Sequence, residues 1–191
     1  MEKYVGRKFE TLFLQKKVLA YPDVEKLVLV SRNLGKVGFL KGIPGNISIR
    51  SRRGFIVTAG GVEKESLSKE DLVEVLGYDK KGEVVSVSGL KEPSSESRMH
   101  WRIYKEFPGV NAVVHVHDEL VLQSKEKAKS QGLVFTEREF PYGTNELAEA
   151  VVNALRKAMY VVMVNHGSVA VGGSLEEAVG LTLSIHNDLL L

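Results

Sequence analysis

NAVVHVH, residues 111–117, joins an apolar, β-branched run to two histidines that stand two positions apart. The run from Val110 to His117 predicts a central strand, because β-branched apolar residues favour strands that are buried on both faces. Side chains alternate along a strand, so His115 and His117 are expected on the same face at neighbouring positions. This arrangement suits a pair of metal ligands, although the pattern alone fits equally well with unrelated polar residues near a strand end.

A third imidazole follows the next apolar run along the chain. His166 comes after the predicted strand Tyr160 to Val164 and directly before Gly167, so a strand end and a turn could present it to the same point. Three neutral imidazoles suit Zn²⁺ and leave a fourth position for water or substrate. The chain has no cysteine, which excludes disulfides, thiolate metal sites and a cysteine nucleophile.

Upstream of the histidines, Pro93-Ser94-Ser95-Glu96 marks the start of a predicted helix that runs from about Ser94 to Phe107. Free backbone N–H groups and the helix dipole at such a start favour a bound anion such as phosphate. In isolation, the motif more often means a serine N-cap followed by a first-turn acid. Asn46, after Gly45, is likewise compatible with an ordinary turn that enters a strand.

The remaining patterns alternate helices with short strand pairs. Mixed helices and antiparallel hairpins predict an α/β domain of three layers, α/β/α, built on a mainly antiparallel central sheet. The further predicted elements are helices at 22–35 and 118–130, hairpins at 46–58 and 73–87, a short helix opened by Ser68 and Asp71, a helix capped by Thr144 and a last helix capped by Ser174.

Composition limits the partners and the location. A chain of 191 residues predicts one domain, residues 1–191, and a net charge of +2 with interspersed signs argues against a nucleic-acid partner. The N-terminal residues Glu2, Lys3, Arg7 and Lys8 are charged and adjoin no long apolar run. We therefore expect no signal peptide, no membrane-spanning helix and a cytoplasmic location.

Six segments occur together in one order, and jointly they resemble the class II aldolase/adducin family. They are GNISIR (45–50), FIVTAGG (55–61), PSSESRMH (93–100), NAVVHVH (111–117), PYGTNELAE (141–149) and NHG (165–167). The resemblance runs from about Asp23 to Leu190, which leaves residues 1–20 as an N-terminal extension that is atypical of the family. It supports the predicted fold and implies a sugar-phosphate enzyme.

The resemblance implies a role for each matching residue. His115, His117 and His166 would bind one Zn²⁺ per subunit, and Glu96 would be the catalytic acid/base that also approaches the metal in the resting state. Tyr142 would reach into the neighbouring subunit's active site and act on the aldehyde-side oxygen, which implies a homotetramer. The residues implied to hold the substrate phosphate are Asn46, Gly61, Ser94 and Ser95.

The implied reaction is reversible cleavage of a ketose 1-phosphate to dihydroxyacetone phosphate and an aldehyde. One departure concerns the turn Thr58-Ala59-Gly60-Gly61, where the family usually has Thr-Pro-Ser/Thr-Gly, so a hydroxyl near the phosphate is missing and weaker phosphate binding is expected. The alternatives are a pentulose-5-phosphate 4-epimerase, which typically has aspartate where Glu96 stands, a methylthioribulose-1-phosphate dehydratase, and a non-catalytic adducin-like module, which the retained histidines oppose.

Overall fold

The structure is a computed structural model that describes residues 8–191, so the expectations for Glu2, Lys3 and Arg7 lie outside the described residues. Helices and strands alternate along the chain, as predicted. The strands are β1 (Glu10–Gln15), β2 (Asn46–Arg50), β3 (Phe55–Thr58), β4 (Leu72–Asp79), β5 (Val84–Gly89), β6 (Ala112–Val116), β7 (Val134–Phe135), β8 (Tyr160–Met163) and β9 (Gly167–Gly172). The helices are α1 (Val24–Lys36), α2 (Ser97–Glu106), α3 (Glu119–Gln123), α4 (Lys125–Ser130), α5 (Asn145–Leu155) and α6 (Leu175–Leu190).

The described strands form one sheet in the order β1-β5-β4-β3-β2-β6-β9-β8-β7. The sheet is mixed, which corrects the expectation of a mainly antiparallel sheet. Both outermost strands pair in parallel, β1 with β5 and β7 with β8, and they flank antiparallel pairings in the interior. The physical reason is connectivity: helix α5 crosses over between β7 and β8, and such a crossover permits parallel pairing where a hairpin does not.

Three elements differ from the pattern-based expectation. The predicted helix at 118–130 is divided into α3 and α4, because Ser124, with φ −91° and ψ 31°, leaves the helical region. Helix α2 begins at Ser97, so Ser94 and Ser95 belong to the loop before it. Strand β1 lies within the segment that was expected to be an atypical extension, and it forms one edge of the sheet.

Two hydrophobic clusters lie on opposite faces of the sheet. Along β6, Val113 belongs to the cluster that includes α2 and α5, whereas Val114 belongs to the cluster that includes α1 and α6. His115 therefore points to the α2 face, like Val113, because side chains two apart share a face. This alternation directs His115 towards the loop that carries Glu96. Within the described residues, no helix is long and apolar enough to cross a membrane.

Candidate metal centre and substrate pocket

The three histidines singled out from the sequence meet at one point, together with Glu96. His115 is on β6, His117 directly follows that strand, and His166 is in the turn between β8 and β9. One potential ligand atom from each of these histidines and from Glu96 lies within 4.8 Å of the others. The tertiary structure thus places four metal-ligating groups from three separate parts of the chain around one point.

His115 is oriented by the neighbouring strand. Its Nδ1 lies 2.9 Å from the backbone carbonyl oxygen of Ser168 on β9. A carbonyl oxygen only accepts, so Nδ1 carries the proton and Nε2 presents its lone pair to the centre. A backbone carbonyl that orients an imidazole in this way is a common feature of metal-binding histidines.

The donor atoms of the centre are close enough to need a cation among them. His115 Nε2 lies 2.9 Å from Glu96 Oε2 and 3.1 Å from His117 Nε2. Glu96 Oε1 is buried, lies 3.1 Å from His166 Nε2 and makes no hydrogen bond. Lone pairs gathered at these distances repel one another unless a proton or a metal ion is shared between them. Three imidazoles and a carboxylate are a donor set that suits zinc.

Burial and the neighbouring charges set the ionisation of the centre. Burial alone would raise the pKa of Glu96, but its interactions with the His115 and His166 imidazoles outweigh burial and hold the pKa of this carboxyl well below its usual value. Burial, followed by the electrostatic influence of His115 and His166, lowers the pKa of His117 to about 3. At neutral pH, Glu96 is therefore anionic and His117 is neutral, and these are the forms that bind a divalent cation.

Local backbone features place His166. Asn165 has a φ of +57°, in the left-handed region that asparagine tolerates better than most residues. Its side-chain amide donates to Glu139 Oε2 over 2.7 Å. The turn continues with a hydrogen bond from the backbone N–H of His166 to Met163 O. Asn165 thus turns the chain so that the next residue points into the centre.

Gly167 permits the close contact between β9 and β6 beside His115. A Cβ at this position would lie 2.4 Å from the backbone oxygen of Val116 and 3.1 Å from His115 Cε1. Atoms at 2.4 Å overlap, and a backbone oxygen in a central strand cannot move aside easily. The glycine of the Asn-His-Gly segment is therefore a packing requirement of the centre.

Glu96 is also held from the strand beside His115. Asn46 on β2 pairs with His115 across the β2–β6 ladder. The amide of Asn46 donates to Glu96 Oε2 over 2.9 Å, and both side chains are buried. Asn46 and His115 therefore both contact Glu96 Oε2, and Asn46 helps to fix the carboxylate in the centre.

A pocket of about 430 Å³ opens onto this centre. The loop after β3 and the loop before α2 together form one wall of the pocket. They are held together by a β-bridge between Ala59 and Pro93 and by a hydrogen bond from the backbone N–H of Gly60 to Glu92 O. His115 is fully buried and is not among the residues that line the pocket. The other residues singled out from the sequence all line the pocket: Asn46, Gly61, Ser94, Ser95, Glu96, His117, Tyr142 and His166.

Tyr142 lines the pocket of its own chain, and its expected reach into a neighbouring subunit's active site stays a prediction. The loop that carries it packs closely on the Ser94-Ser95 loop. Gly143 has a φ of +65°, and a Cβ there would lie 2.9 Å from the carbonyl oxygen of Ser95. The close approach at Gly143 therefore holds Tyr142 beside the serine loop of its own chain, and the homotetramer stays a prediction.

Pattern analysis missed several pocket residues, of which Lys64 is the most unusual. It is 1% exposed and lies among Glu63, Glu65 and Ser66, in a polar segment that indicates a solvent-exposed loop. Burial lowers the pKa of Lys64 to about 8, although the charge of Asp71 acts in the opposite direction. Its burial results from tertiary contacts that no local periodicity reveals. The pocket also includes Glu139, Phe140 and Asn165.

Comparisons with known proteins agree with this arrangement. The model of the class II aldolase and adducin N-terminal domain family matches residues 25–188. An L-fuculose phosphate aldolase from Methanococcus maripaludis is 30% identical over 167 residues, which cover 82% of this chain and 88% of that protein. A 5-deoxy-D-ribulose 1-phosphate aldolase from Bacillus thuringiensis is 31% identical, over 84% of this chain and 79% of its own.

A solved structure gives the same result at the level of the fold. The crystal structure of L-fuculose-1-phosphate aldolase from Thermus thermophilus superimposes with a TM-score of 0.69 and 26% identity. The match covers 87% of this chain and 91% of that one. The likeness therefore extends over nearly the whole of both chains.

Proposed function

Since this chain belongs to the class II aldolase and adducin family and is a metal-dependent lyase, we propose that it cleaves a ketose 1-phosphate reversibly. The products would be dihydroxyacetone phosphate and an aldehyde. The observation that carries the proposal is the pocket in which the histidine and carboxylate centre adjoins two serines and two glycines suited to a phosphate. The two relatives named above for sugar-phosphate aldolases support a ketose 1-phosphate as the substrate class.

The metal is proposed to be zinc, held by His115, His117 and His166. A potential ligand nitrogen of each imidazole lies within 4.8 Å of the others, and the His115–Ser168 contact fixes one of them in the ligand-competent tautomer. A zinc ion bound here would stabilise the negative charge left on the substrate oxygens when the carbon–carbon bond breaks.

Glu96 is proposed as the acid/base that moves a proton at the substrate carbon. Its carboxylate lines the pocket, is ionised at neutral pH, and is held on one oxygen by Asn46. Its other oxygen, Oε1, makes no hydrogen bond and is the atom that would take up the proton. Tyr142 is proposed to exchange a proton with the aldehyde-side oxygen, since its phenol lines the same pocket.

The phosphate subsite is proposed at Asn46, Gly61, Ser94 and Ser95. The β-bridge between Ala59 and Pro93 holds the glycine loop against the serine loop, so that hydroxyl and backbone N–H groups can converge on one anion. Binding there would orient the reacting carbon relative to Glu96.

The last parts of the proposal are the layer architecture and the assembly of the protein. Helices pack in both hydrophobic clusters, on the two faces of the sheet, and this supports a three-layer α/β/α architecture formed by one domain. A homotetramer is the assembly that the family resemblance implies, and light scattering on the active protein tests it.

An activity screen tests the function. Ketose 1-phosphates and pentulose 5-phosphates would be incubated with zinc-loaded protein, with chelated protein, and with the Glu96→Gln variant as the matched control. We expect zinc-dependent release of dihydroxyacetone phosphate from a ketose 1-phosphate, and release about a hundredfold slower or more by the variant. Epimerisation of a pentulose 5-phosphate with no cleavage of any ketose 1-phosphate would overturn the proposal in favour of the epimerase.

A further inference from the structure

Lys64 is a buried cation in the wall of the substrate pocket. It is 1% exposed, and its Nζ donates to the backbone oxygens of Ile43, over 2.7 Å, and Val62, over 2.9 Å. A charged ammonium group carries three protons, so one donor remains after these two bonds. Lys64 is among the residues that line the pocket, so a ligand bound there lies close to a lysine with one donor to spare.

The two carbonyls belong to the two loops that carry proposed phosphate-binding residues. Ile43 precedes Asn46 by three positions, and Val62 directly follows Gly61. The backbone N–H of Lys64 also donates to Gly42 O over 3.1 Å. The ammonium group therefore lies where the two loops meet, beside the positions at which a phosphate would bind.

The charge of Lys64 is not neutralised within the described part of the chain. No carboxylate among residues 8–191 forms an ion pair with it. Asp71, whose charge acts on Lys64 from a distance, is bound to Lys91. Of the two pocket acids, Glu96 faces the imidazoles and Glu139 accepts from Asn165. Burying a cation without a counter-charge is costly, and a bound anion would remove that cost.

We infer that Lys64 binds the phosphate group of the substrate. Its positive charge replaces the hydrogen bond that a hydroxyl-bearing residue at position 60, now Gly60, would donate to the phosphate. The inference rests on the proposed function for its substrate, a phosphorylated ketose, and on the described geometry for its site. It reverses the expectation of weak phosphate binding from the Ala59-Gly60 turn. A charge-assisted bond is about twice as strong as a neutral one.

The direct test is titration of inorganic phosphate into zinc-loaded protein by calorimetry. Lys64→Gln removes the charge but retains an amide donor for the loop carbonyls, and Lys69→Gln is the matched control, because it removes an exposed lysine from the same segment. We expect phosphate to bind Lys64→Gln about tenfold to a hundredfold more weakly than wild type, and the control to bind normally. Equal affinity for wild type and Lys64→Gln, or no binding by wild type, would overturn the inference.

A second measurement covers the case in which Lys64→Gln does not fold, as judged by circular dichroism and zinc content. Wild-type protein with ¹⁵N-labelled lysine would be titrated with phosphate, with the Nζ signal of Lys64 assigned from its loss in Lys64→Arg. A shift of that signal at phosphate saturation supports the inference, and an unmoved signal refutes it.

The two proposals fail in different ways. If phosphate binding depends on Lys64 but no ketose 1-phosphate is cleaved, the proposed reaction is wrong and the anion site stands. If cleavage occurs and Lys64→Gln has an unchanged KM for the phosphorylated substrate, the reaction stands and the role of Lys64 is refuted.

Discussion

The buried charge of Lys64 should make the stability of the metal-free protein depend on pH. Burial lowers its pKa from 10.5 to about 8 in the folded state. Between these values the unfolded chain binds more protons than the folded chain, so the free energy of unfolding rises with pH. Below about pH 8 the side chain is charged in both states, and the full cost of burying it is present.

The size of the effect follows from the shift. Titration from about pH 7 to about pH 10 with these two pKa values recovers about 2 to 3 kcal/mol of stability, at about 1.36 kcal/mol per pKa unit. The Lys64→Met variant lacks this contribution. The difference in unfolding free energy between wild type and Lys64→Met should therefore move by about 2 to 3 kcal/mol in favour of wild type over this range.

Urea denaturation of chelated protein at pH 7, 8, 9 and 10 measures this difference. The Lys69→Met variant serves as control, since it removes an exposed lysine, and its difference from wild type should show no comparable rise. A wild-type minus Lys64→Met difference that stays flat with pH would refute the reasoning. It would mean that the ammonium group is solvated or paired in the folded protein.

Four further predictions concern the centre and its assembly. His117→Ala should lose stoichiometric zinc, measured by atomic absorption, while a variant that retains full occupancy and activity would refute the site. Glu96→Gln should retain phosphate binding but lower the cleavage rate by about a hundredfold or more, and wild-type deuterium exchange into dihydroxyacetone phosphate by this variant would exclude Glu96 as the base. Gly167→Ala should lower the free energy of unfolding by about 1 to 3 kcal/mol and weaken zinc binding, because its Cβ would overlap the Val116 carbonyl; an unchanged urea midpoint would contradict this. Light scattering should give the mass of a tetramer, and a monomeric mass in an active preparation would refute the proposed assembly.

Much of the site was predictable because it depends on short-range periodicity and on motifs. The two-residue alternation of a strand placed His115 and His117 on one face, and the apolar run before them predicted β6. Capping was also predictable, since Thr144 and Ser174 accept from backbone N–H groups at the starts of α5 and α6. Each of these features is determined by residues within a few positions of one another.

Strand pairing in parallel was not predictable, because it depends on contacts between distant segments. Strand β1 has weak alternation and belongs to a segment outside the family resemblance, and β7 has two residues. Each pairs with a strand that is distant in the sequence, β1 with β5 and β7 with β8. The mixed character of the sheet is therefore a property of the tertiary structure.

The sequence by itself determined which chemical groups this protein has: three imidazoles, the Glu96 carboxylate, the two serines of one loop, and a second loop with no hydroxyl at Gly60. The tertiary structure decided which of them meet. The β2–β6 ladder places Asn46 beside His115, and the left-handed turn at Asn165 presents His166. Lys64 became a pocket residue in the same way, because the free energy of burying an ammonium group depends on the two loops around it and not on its neighbours in the chain.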